Sequence, residues 1–152
     1  MKVRCGGCVR QALVAHPRRT YMTAFQPSKP VTILAVDDDR SVLDLLRETL
    51  DAAGYRVLAA TGGWEAIREF ESGEDVELLL TDVIMPDLTG PVLAERLRAK
   101  KPGLRVLFIS GFHDADLVQR FVTRKGFTLL PKPFTVTALL RVVREALEPV
   151  RS

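Results

Sequence analysis

Three consecutive aspartates follow the first strongly apolar run of the chain, in the segment VTILAVDDDR at residues 31–40. Adjacent carboxylates repel each other, so an ordered arrangement of them needs either a counter-charge or full exposure to solvent. Asp82, Ser110 and Lys132 occupy similar places further along, each at or just after the end of another apolar run. These residue types are those of a cation site, or of several ordinary solvated turns.

Carboxylates, a hydroxyl and an ammonium group in one place would suit the chemistry of phosphate. Oxygen ligands of this kind favour Mg²⁺, a hard cation that keeps several waters and accepts a phosphate oxygen as a ligand. A carboxylate facing the same space can attack phosphorus and form an acyl phosphate. The metal, a lysine and a hydroxyl then balance the charge on the phosphoryl oxygens. If the fold brings these side chains together, they predict phosphoryl transfer to an aspartate.

The segments that must position these residues alternate between strand and helix patterns from residue 31 onward. Short apolar runs predict strands at 31–36, 55–60, 76–81, 104–110 and 127–131. Apolar residues spaced three and four apart predict helices at 39–53, 62–72, 89–100, 114–125 and 135–147. Five such β-α units with short connections predict an α/β fold with a parallel sheet covered on both faces.

Each predicted helix has an apolar face that is expected to pack on the sheet. The expected core residues are Val42, Leu45, Leu46, Thr49 and Leu50 in the first helix, Trp64, Ile67 and Phe70 in the second, Val92, Leu93 and Leu97 in the third, Leu117, Val118, Phe121 and Val122 in the fourth, and Val136, Leu139, Leu140, Val143 and Leu147 in the last.

The carboxyl ends of parallel strands lie at one edge of a sheet, where open α/β sheets bind their ligands. The residues 37–39, Asp82, Ser110 and Lys132 follow four different strands and are therefore expected to share one crevice. Each has an ordinary explanation taken alone, since the third aspartate is expected to cap the first helix and a serine before glycine is typical of a turn. Their arrival at one edge from four segments favours a site.

The composition is that of one ordinary globular domain, with 152 residues, 47% apolar and 27% charged. No apolar run approaches the roughly 18 residues that a membrane helix needs. The formal net charge is +3, but residues 1–30 hold six basic residues and no acid, which leaves −3 for the remainder. The mildly acidic main part argues against a nucleic-acid partner.

Residues 1–30 are predicted to form a basic, disordered N-terminal extension that ends at the prolines of PSKP. Cys5 and Cys8 form a CxxC pair, which can be a redox dithiol or, with His16, part of a zinc site. Neither has its usual context, since no apolar strand precedes the pair and a fourth zinc ligand is missing. A targeting or nucleic-acid-tethering role, or a chain start at Met22, also stays open.

Residues 31–150 resemble the receiver domain of two-component response regulators, and in particular the receivers of hybrid histidine kinases. Four ordered motifs carry the resemblance: ILAVDDD at the first strand, LLLTDVIMPDLTG around Asp82, FISG at the fourth strand and LLPKPF before the last helix. The resemblance implies a flavodoxin-like (βα)5 three-layer sandwich with a parallel five-stranded sheet of order 2-1-3-4-5.

The resemblance also implies a role for each residue at the sheet edge. Asp82 would accept a phosphoryl group from the phosphohistidine of a sensor histidine kinase or a histidine phosphotransfer protein. Ser110 would hydrogen-bond this group and Lys132 would pair with it, with a cis peptide bond between Lys132 and Pro133. The implied Mg²⁺ ligands are Asp37, Asp38, Asp82 and the backbone carbonyl of Ile84.

Two features depart from the common pattern of the family. Leu129 stands where a switch aromatic often lies three residues before the lysine, so an aromatic rotamer change is not the expected readout. Ile84 and Phe112 are apolar near the phosphoryl site, and neither can orient an attacking water. We therefore predict slow self-dephosphorylation.

As the resemblance implies, the chain would catalyse its own phosphorylation and dephosphorylation without being an enzyme for other substrates. Few residues follow the last predicted helix, so we expect a stand-alone, cytoplasmic receiver that signals through protein contacts. One expected output is a homodimer through the face formed by the helix at 114–125, the strand at 127–131 and the helix at 135–147. Nucleic-acid and membrane partners are not expected.

A small phosphatase of the haloacid dehalogenase type is the rival from another class. It would use Asp37 as the nucleophile and Asp39 as the second acid of a DxD pair, and Asp82 would be incidental. Such enzymes need a further acidic pair after the lysine, and here only Glu145 and Glu148 follow, within the last helix. A degenerate receiver that serves as a binding scaffold is disfavoured because every site residue is present.

Overall fold

Five parallel strands form a single sheet in the structure, a computed structural model that describes residues 29–111 and 127–148. The strands are β1 (Thr32–Val36), β2 (Arg56–Ala60), β3 (Val76–Asp82), β4 (Arg105–Ser110) and β5 (Thr128–Pro131). Their order across the sheet is β2-β1-β3-β4-β5, and every neighbouring pair is parallel. The predicted 2-1-3-4-5 order is confirmed.

Four helices lie in the described residues. They are α1 (Arg40–Ala52), α2 (Gly63–Phe70), α3 (Gly90–Lys100) and α4 (Val136–Leu147). The helix predicted at 114–125 lies outside the described residues. Among the helices that the structure describes, none is both long enough and apolar enough to cross a membrane.

Side-chain caps set the residue at which three of the helices begin. Asp39 Oδ1 accepts a hydrogen bond from Ser41 N at 2.9 Å, and Thr89 and Thr135 cap α3 and α4 in the same way. A cap residue binds a backbone N–H of the first turn but is not itself helical. The starts predicted at 39, 89 and 135 are therefore one residue early, and the predicted capping role of Asp39 is confirmed.

The buried core lies on both faces of the sheet, so the fold has three layers. Leu34 and Leu79 of the central strands pack with α2 and α3, whereas Ile33 and Leu80 pack with α1 and α4. All five residues of β1 are buried, as expected for a strand covered on both faces. This arrangement confirms the predicted flavodoxin-like sandwich and leaves the carboxyl ends of the strands available for a site.

The predicted core face is wrong at one position in each described helix. The exposed residues are Leu45, Trp64, Val92 and Val136. Apart from glycines, the residues buried on the same helices without having been predicted are Leu43, Ala66, Ala94 and Val142. Successive residues point about 100° apart around a helix axis. If the face that contacts the sheet is displaced by one or two positions from the predicted one, a large apolar side chain is left at its exposed edge. Packing against the sheet, rather than side-chain size, decides which residues are covered.

Candidate functional site

Asp37 directly follows β1 and is fully buried. Its backbone N–H donates to the carbonyl oxygen of Ala60 at 3.2 Å, which holds the turn against the end of β2. Its carboxylate Oδ1 accepts a hydrogen bond from Asp39 N at 2.8 Å. The Asp39 amide therefore fixes the orientation of this carboxylate through Oδ1. The other oxygen, Oδ2, can bind side chains that follow the neighbouring strands.

Asp82 is the last residue of β3 and is buried at the same edge of the sheet. Its Oδ1 accepts a hydrogen bond from Val83 N at 2.8 Å. Its backbone carbonyl accepts one from the hydroxyl of Thr81 at 3.0 Å. These bonds hold Asp82 in one orientation and leave Oδ2 available for chemistry.

The first two aspartates of the triplet meet Asp82 in a compact acidic cluster. Asp37, Asp38 and Asp82 each place one carboxylate oxygen within 4.8 Å of the other two. Asp37 and Asp82 are buried, whereas Asp38 is exposed and can be reached from solvent. Three converging carboxylate oxygens with one open side fit a hard divalent cation such as Mg²⁺, which keeps several of its waters.

Lys132 links two members of this cluster from the turn after β5. Its Nζ lies 3.2 Å from Asp37 Oδ2 and 3.6 Å from Asp82 Oδ2. Its backbone N–H donates to the carbonyl oxygen of Ser110 at 2.8 Å, which joins the ends of β4 and β5. The predicted cis peptide bond between Lys132 and Pro133 is confirmed.

The site carries more negative charge than its lysine balances. Burial, and next the charge of Asp37, raise the pKa of Asp82 to about 6. Burial also raises the pKa of Asp37, although the Asp39 amide and Lys132 act in the other direction. Burial lowers the pKa of Lys132, but Asp82 and Asp37 together outweigh it and the net change is upward. A further cation would therefore be stabilised here.

Ser110 reaches the same edge as the last residue of β4. It is buried, and its Oγ lies 3.4 Å from the carbonyl oxygen of Gly111. Ile84 follows Asp82 by two residues and has an exposed side chain, while Leu129 is partly buried against the core. Phe112 lies outside the described residues. The structure thus brings together Asp37, Asp38, Asp82 and Lys132, whereas Asp39 caps α1 instead of joining the cluster. The ligand role of the Ile84 carbonyl remains a prediction.

Gly90 is a site residue that the sequence analysis missed. Its N–H donates to the carbonyl oxygen of Val83 at 2.7 Å, and a Cβ at this position would lie 2.3 Å from the backbone carbonyl oxygen of Asp82. No side chain fits at such a distance, so the start of α3 packs directly behind Asp82. The sequence pattern that could have indicated it is the glycine of PDLTG, which directly follows Thr89, the cap of the same helix.

Comparison with known proteins agrees with this fold and site. The sequence pattern of the response regulator receiver domain matches residues 33–144. The match covers most of the chain, and it includes the aspartate cluster and Lys132. The chain belongs to the response regulator receiver family.

Two curated relatives come from Brucella abortus. The sensor kinase CckA is 33% identical over 138 residues, which are 90% of this chain and 15% of the kinase. The response regulator receiver protein CpdR is 32% identical over 115 residues, which are 76% of this chain and 95% of that protein. The chain spans 15% to 31% of the length of the longer curated relatives it matches.

A solved structure of the receiver domain of the hybrid histidine kinase CckA is similar as well. It has a TM-score of 0.64 and 33% identity, over 77% of this chain and 99% of that domain. The predicted similarity to receivers of hybrid histidine kinases is therefore confirmed.

Proposed function

We propose that this receiver accepts a phosphoryl group on Asp82 from the phosphohistidine of a sensor histidine kinase or a histidine phosphotransfer protein. The proposal rests on the burial of the Asp82 carboxylate and on the groups that its two oxygens contact. The carboxylate is buried, its Oδ1 is bound by Val83 N, and its Oδ2 lies 3.6 Å from Lys132 Nζ. Oδ2 would attack phosphorus, and the bond from phosphorus to the imidazole nitrogen would break as the new O–P bond forms.

Lys132 and Ser110 would receive the phosphoryl group. Lys132 Nζ already lies between the two buried carboxylates, so it can pair with a phosphoryl oxygen without a large movement. The Ser110 hydroxyl has a long contact of 3.4 Å with Gly111 O, which leaves it able to turn toward a phosphoryl oxygen and donate a hydrogen bond.

Asp37, Asp38 and Asp82 would hold Mg²⁺, together with the backbone carbonyl of Ile84. The three carboxylates provide oxygen ligands that lie within 4.8 Å of one another and include one exposed group. When bound, the ion would offset the charge of the carboxylates and of the incoming phosphoryl group.

The position of Asp39 favours the receiver over the haloacid dehalogenase phosphatase. That rival needs Asp37 and Asp39 to act together in the crevice. Asp39 is exposed, and its Oδ1 is bound to Ser41 N as the cap of α1. The partners of Asp37 in the acidic cluster are Asp38 and Asp82, as the receiver mechanism requires.

A labelling experiment tests this proposal. The protein is incubated with Mg²⁺ and a small acyl-phosphate donor, and the labelled residue is located by reductive trapping and mass spectrometry. We expect the label on Asp82 and none in Asp82→Asn, while the control Asp75→Asn, at the other end of β3, is labelled like the wild type. Label on Asp37 would support the phosphatase, and no label at all would refute both.

The remaining functional predictions extend this proposal. We propose a cytoplasmic receiver that acts through protein contacts, with neither nucleic acid nor membrane as a partner. The proposed homodimer face includes residues 114–125, which lie outside the described residues. The predicted extension contains Cys5 and Cys8 and falls almost entirely in residues 1–28, which also lie outside them. These points stay predictions. For the dimer, light scattering with and without phosphorylation would provide the test.

A further inference from the structure

Asp87, in the loop between β3 and α3, makes a contact that phosphoacceptor chemistry does not use. Its Oδ1 accepts a hydrogen bond from Gly63 N and its Oδ2 accepts one from Trp64 N, both at 3.1 Å. These are the first two backbone amides of α2, which have no partner within the helix. The N-cap residue of α2 is Gly62, which has no side chain to cap them, so Asp87 supplies the cap from a distant segment.

The charge of Asp87 suits this position. The hydrogen bond from the Trp64 amide, followed by that from the Gly63 amide, holds the pKa of Asp87 below its ordinary value, although burial acts in the opposite direction. The carboxylate therefore stays ionised at neutral pH. A negative charge at the start of a helix is also stabilised by the helix dipole.

Two glycines leave the space that this contact needs. A Cβ on Gly62 would lie 2.9 Å from Asp87 Oδ2, and a Cβ on Gly63 would lie 2.5 Å from Leu88 Cβ. A side chain at position 62 would displace the Asp87 carboxylate, and one at position 63 would push Leu88 away from α2. Gly62, Gly63, Trp64, Asp87 and Leu88 thus form one packed unit, which we call the Asp87 junction.

Two members of the junction, Asp87 and Leu88, lie in the loop that begins directly after Asp82, the proposed phosphoacceptor. The loop is held near Asp82 at its two ends, by the bond from Val83 N to Asp82 Oδ1 and by the bond from Gly90 N to the Val83 carbonyl. Asp87 fixes its middle. A cavity of about 320 Å³ is lined by Gly62, Trp64, Pro86 and Asp87 from this side and by the cluster residue Asp38 from the other.

We propose that Asp87 is a positioning residue, which fixes the loop after the phosphoacceptor against the start of α2 and thereby sets the geometry on the metal side of the site. The consequence for phosphorylation rests on the proposed function of Asp82, whereas the contact itself does not. Loss of the contact should weaken Mg²⁺ binding and slow phosphorylation at limiting Mg²⁺. Saturating Mg²⁺ should restore the rate, because the Asp87 carboxylate binds the amides of Gly63 and Trp64 and is not itself one of the proposed metal ligands.

Backbone amide exchange tests the contact directly. In Asp87→Ala we expect the amides of Gly63 and Trp64 to exchange roughly fivefold faster or more, the effect of losing a helix cap. Asp87→Asn keeps one accepting oxygen and should be intermediate. The matched control is Asp75→Ala, which removes an exposed carboxylate bound to Lys101 Nζ at 2.6 Å, before the start of β3. It should leave both amides unchanged.

A titration with Mg²⁺ alone tests the consequence. Trp64 is the single tryptophan of the chain and lies in the junction, so its fluorescence can follow the titration, with calorimetry as a second readout. We expect Asp87→Ala to bind Mg²⁺ roughly tenfold more weakly, as for other residues that orient metal ligands indirectly. Asp87→Asn should recover part of this loss, and the control should bind like the wild type.

The outcomes separate the contact, its consequence and the proposed function. Unchanged exchange at Gly63 and Trp64 in Asp87→Ala would refute the contact. Faster exchange with unchanged Mg²⁺ affinity would show a structural cap only and overturn the positioning role. Failure of the wild type to become phosphorylated on Asp82 would refute the proposed function, while both of the other measurements would still stand.

Discussion

Replacing Asp82 by asparagine should stabilise the metal-free protein at neutral pH, although it removes the proposed phosphoacceptor. Asparagine is nearly isosteric and can still accept the hydrogen bond from Val83 N. It removes a buried charge next to Asp37, and Lys132 keeps its nearer partner, Asp37, at 3.2 Å. The change therefore relieves electrostatic repulsion without leaving a cavity.

The magnitude follows from the pKa of Asp82. Burial and the charge of Asp37 raise it from 3.8 to about 6. Each unit corresponds to roughly 1.4 kcal/mol, so the ionised carboxylate costs about 3 kcal/mol of folding free energy above pH 6 or so. The side chain is only 11% exposed, so solvent screening reduces this little. Because relaxation around the charge lowers the cost, we expect Asp82→Asn to gain about 1–3 kcal/mol.

The sign of the effect fixes its pH dependence. A carboxyl group with a raised pKa in the folded state binds its proton more tightly there than in the unfolded chain. Its protonation therefore stabilises the wild type fully below about pH 4, and this stabilisation is lost as the pH rises through about 6. The advantage of the asparagine variant should be largest at pH 7.5 and should disappear near pH 4.

Urea denaturation in EDTA at several pH values provides the measurement. Asp75→Asn is the matched control, since the hydrogen bond and charge of Lys101 lower the pKa of Asp75, and its replacement should give no gain. Added Mg²⁺ should reverse the order, because the wild type keeps a metal ligand that the variant has lost. An asparagine variant no more stable than the wild type at pH 7.5, or equally favoured at pH 4, would refute the electrostatic account.

Three further predictions concern the surroundings of Asp82. Gly90→Ala should lower the free energy of unfolding by about 1–3 kcal/mol, because its Cβ would lie 2.3 Å from a backbone oxygen. In the same denaturation assay the control Gly103→Ala should be close to neutral, because a Cβ at Gly103 would lie in open space. Lys132→Ala should reduce the rate of phosphorylation by an acyl-phosphate donor roughly 100-fold at saturating Mg²⁺, as measured by mass spectrometry. A near-normal rate would show that the ammonium group is not needed. The aspartyl phosphate should persist for minutes or longer and should decay faster in Ile84→Asn, which offers a polar group to water; loss within seconds in the wild type would contradict this.

Much of the fold could be predicted because its signals are local. Short apolar runs ended by charge specify strands, and apolar spacing followed by glycine or proline specifies helices. The described elements begin and end within one or two residues of the predicted bounds. Three of the differences arise where Asp39, Thr89 and Thr135 cap helices instead of joining them. The residues of the site followed in turn, since parallel strands present their carboxyl ends at one edge.

The helix faces could be predicted only in part. Leu45 and Trp64 fit an apolar period but lie at the solvent edge, while Leu43 and Ala66 are covered. Periodicity in one helix does not contain the angle at which that helix meets the sheet. This angle depends on the side chains of the strands beneath, which belong to other parts of the chain.

By itself, the amino-acid sequence determined the class of fold, the family and the set of residues at the sheet edge, because each depends on short motifs and their order. The tertiary structure alone decided how those residues divide their contacts. It placed Lys132 between Asp37 and Asp82, and it bound Asp87 to the start of α2. Such contacts join residues far apart in the chain and depend on strand register and loop path, which no local pattern encodes.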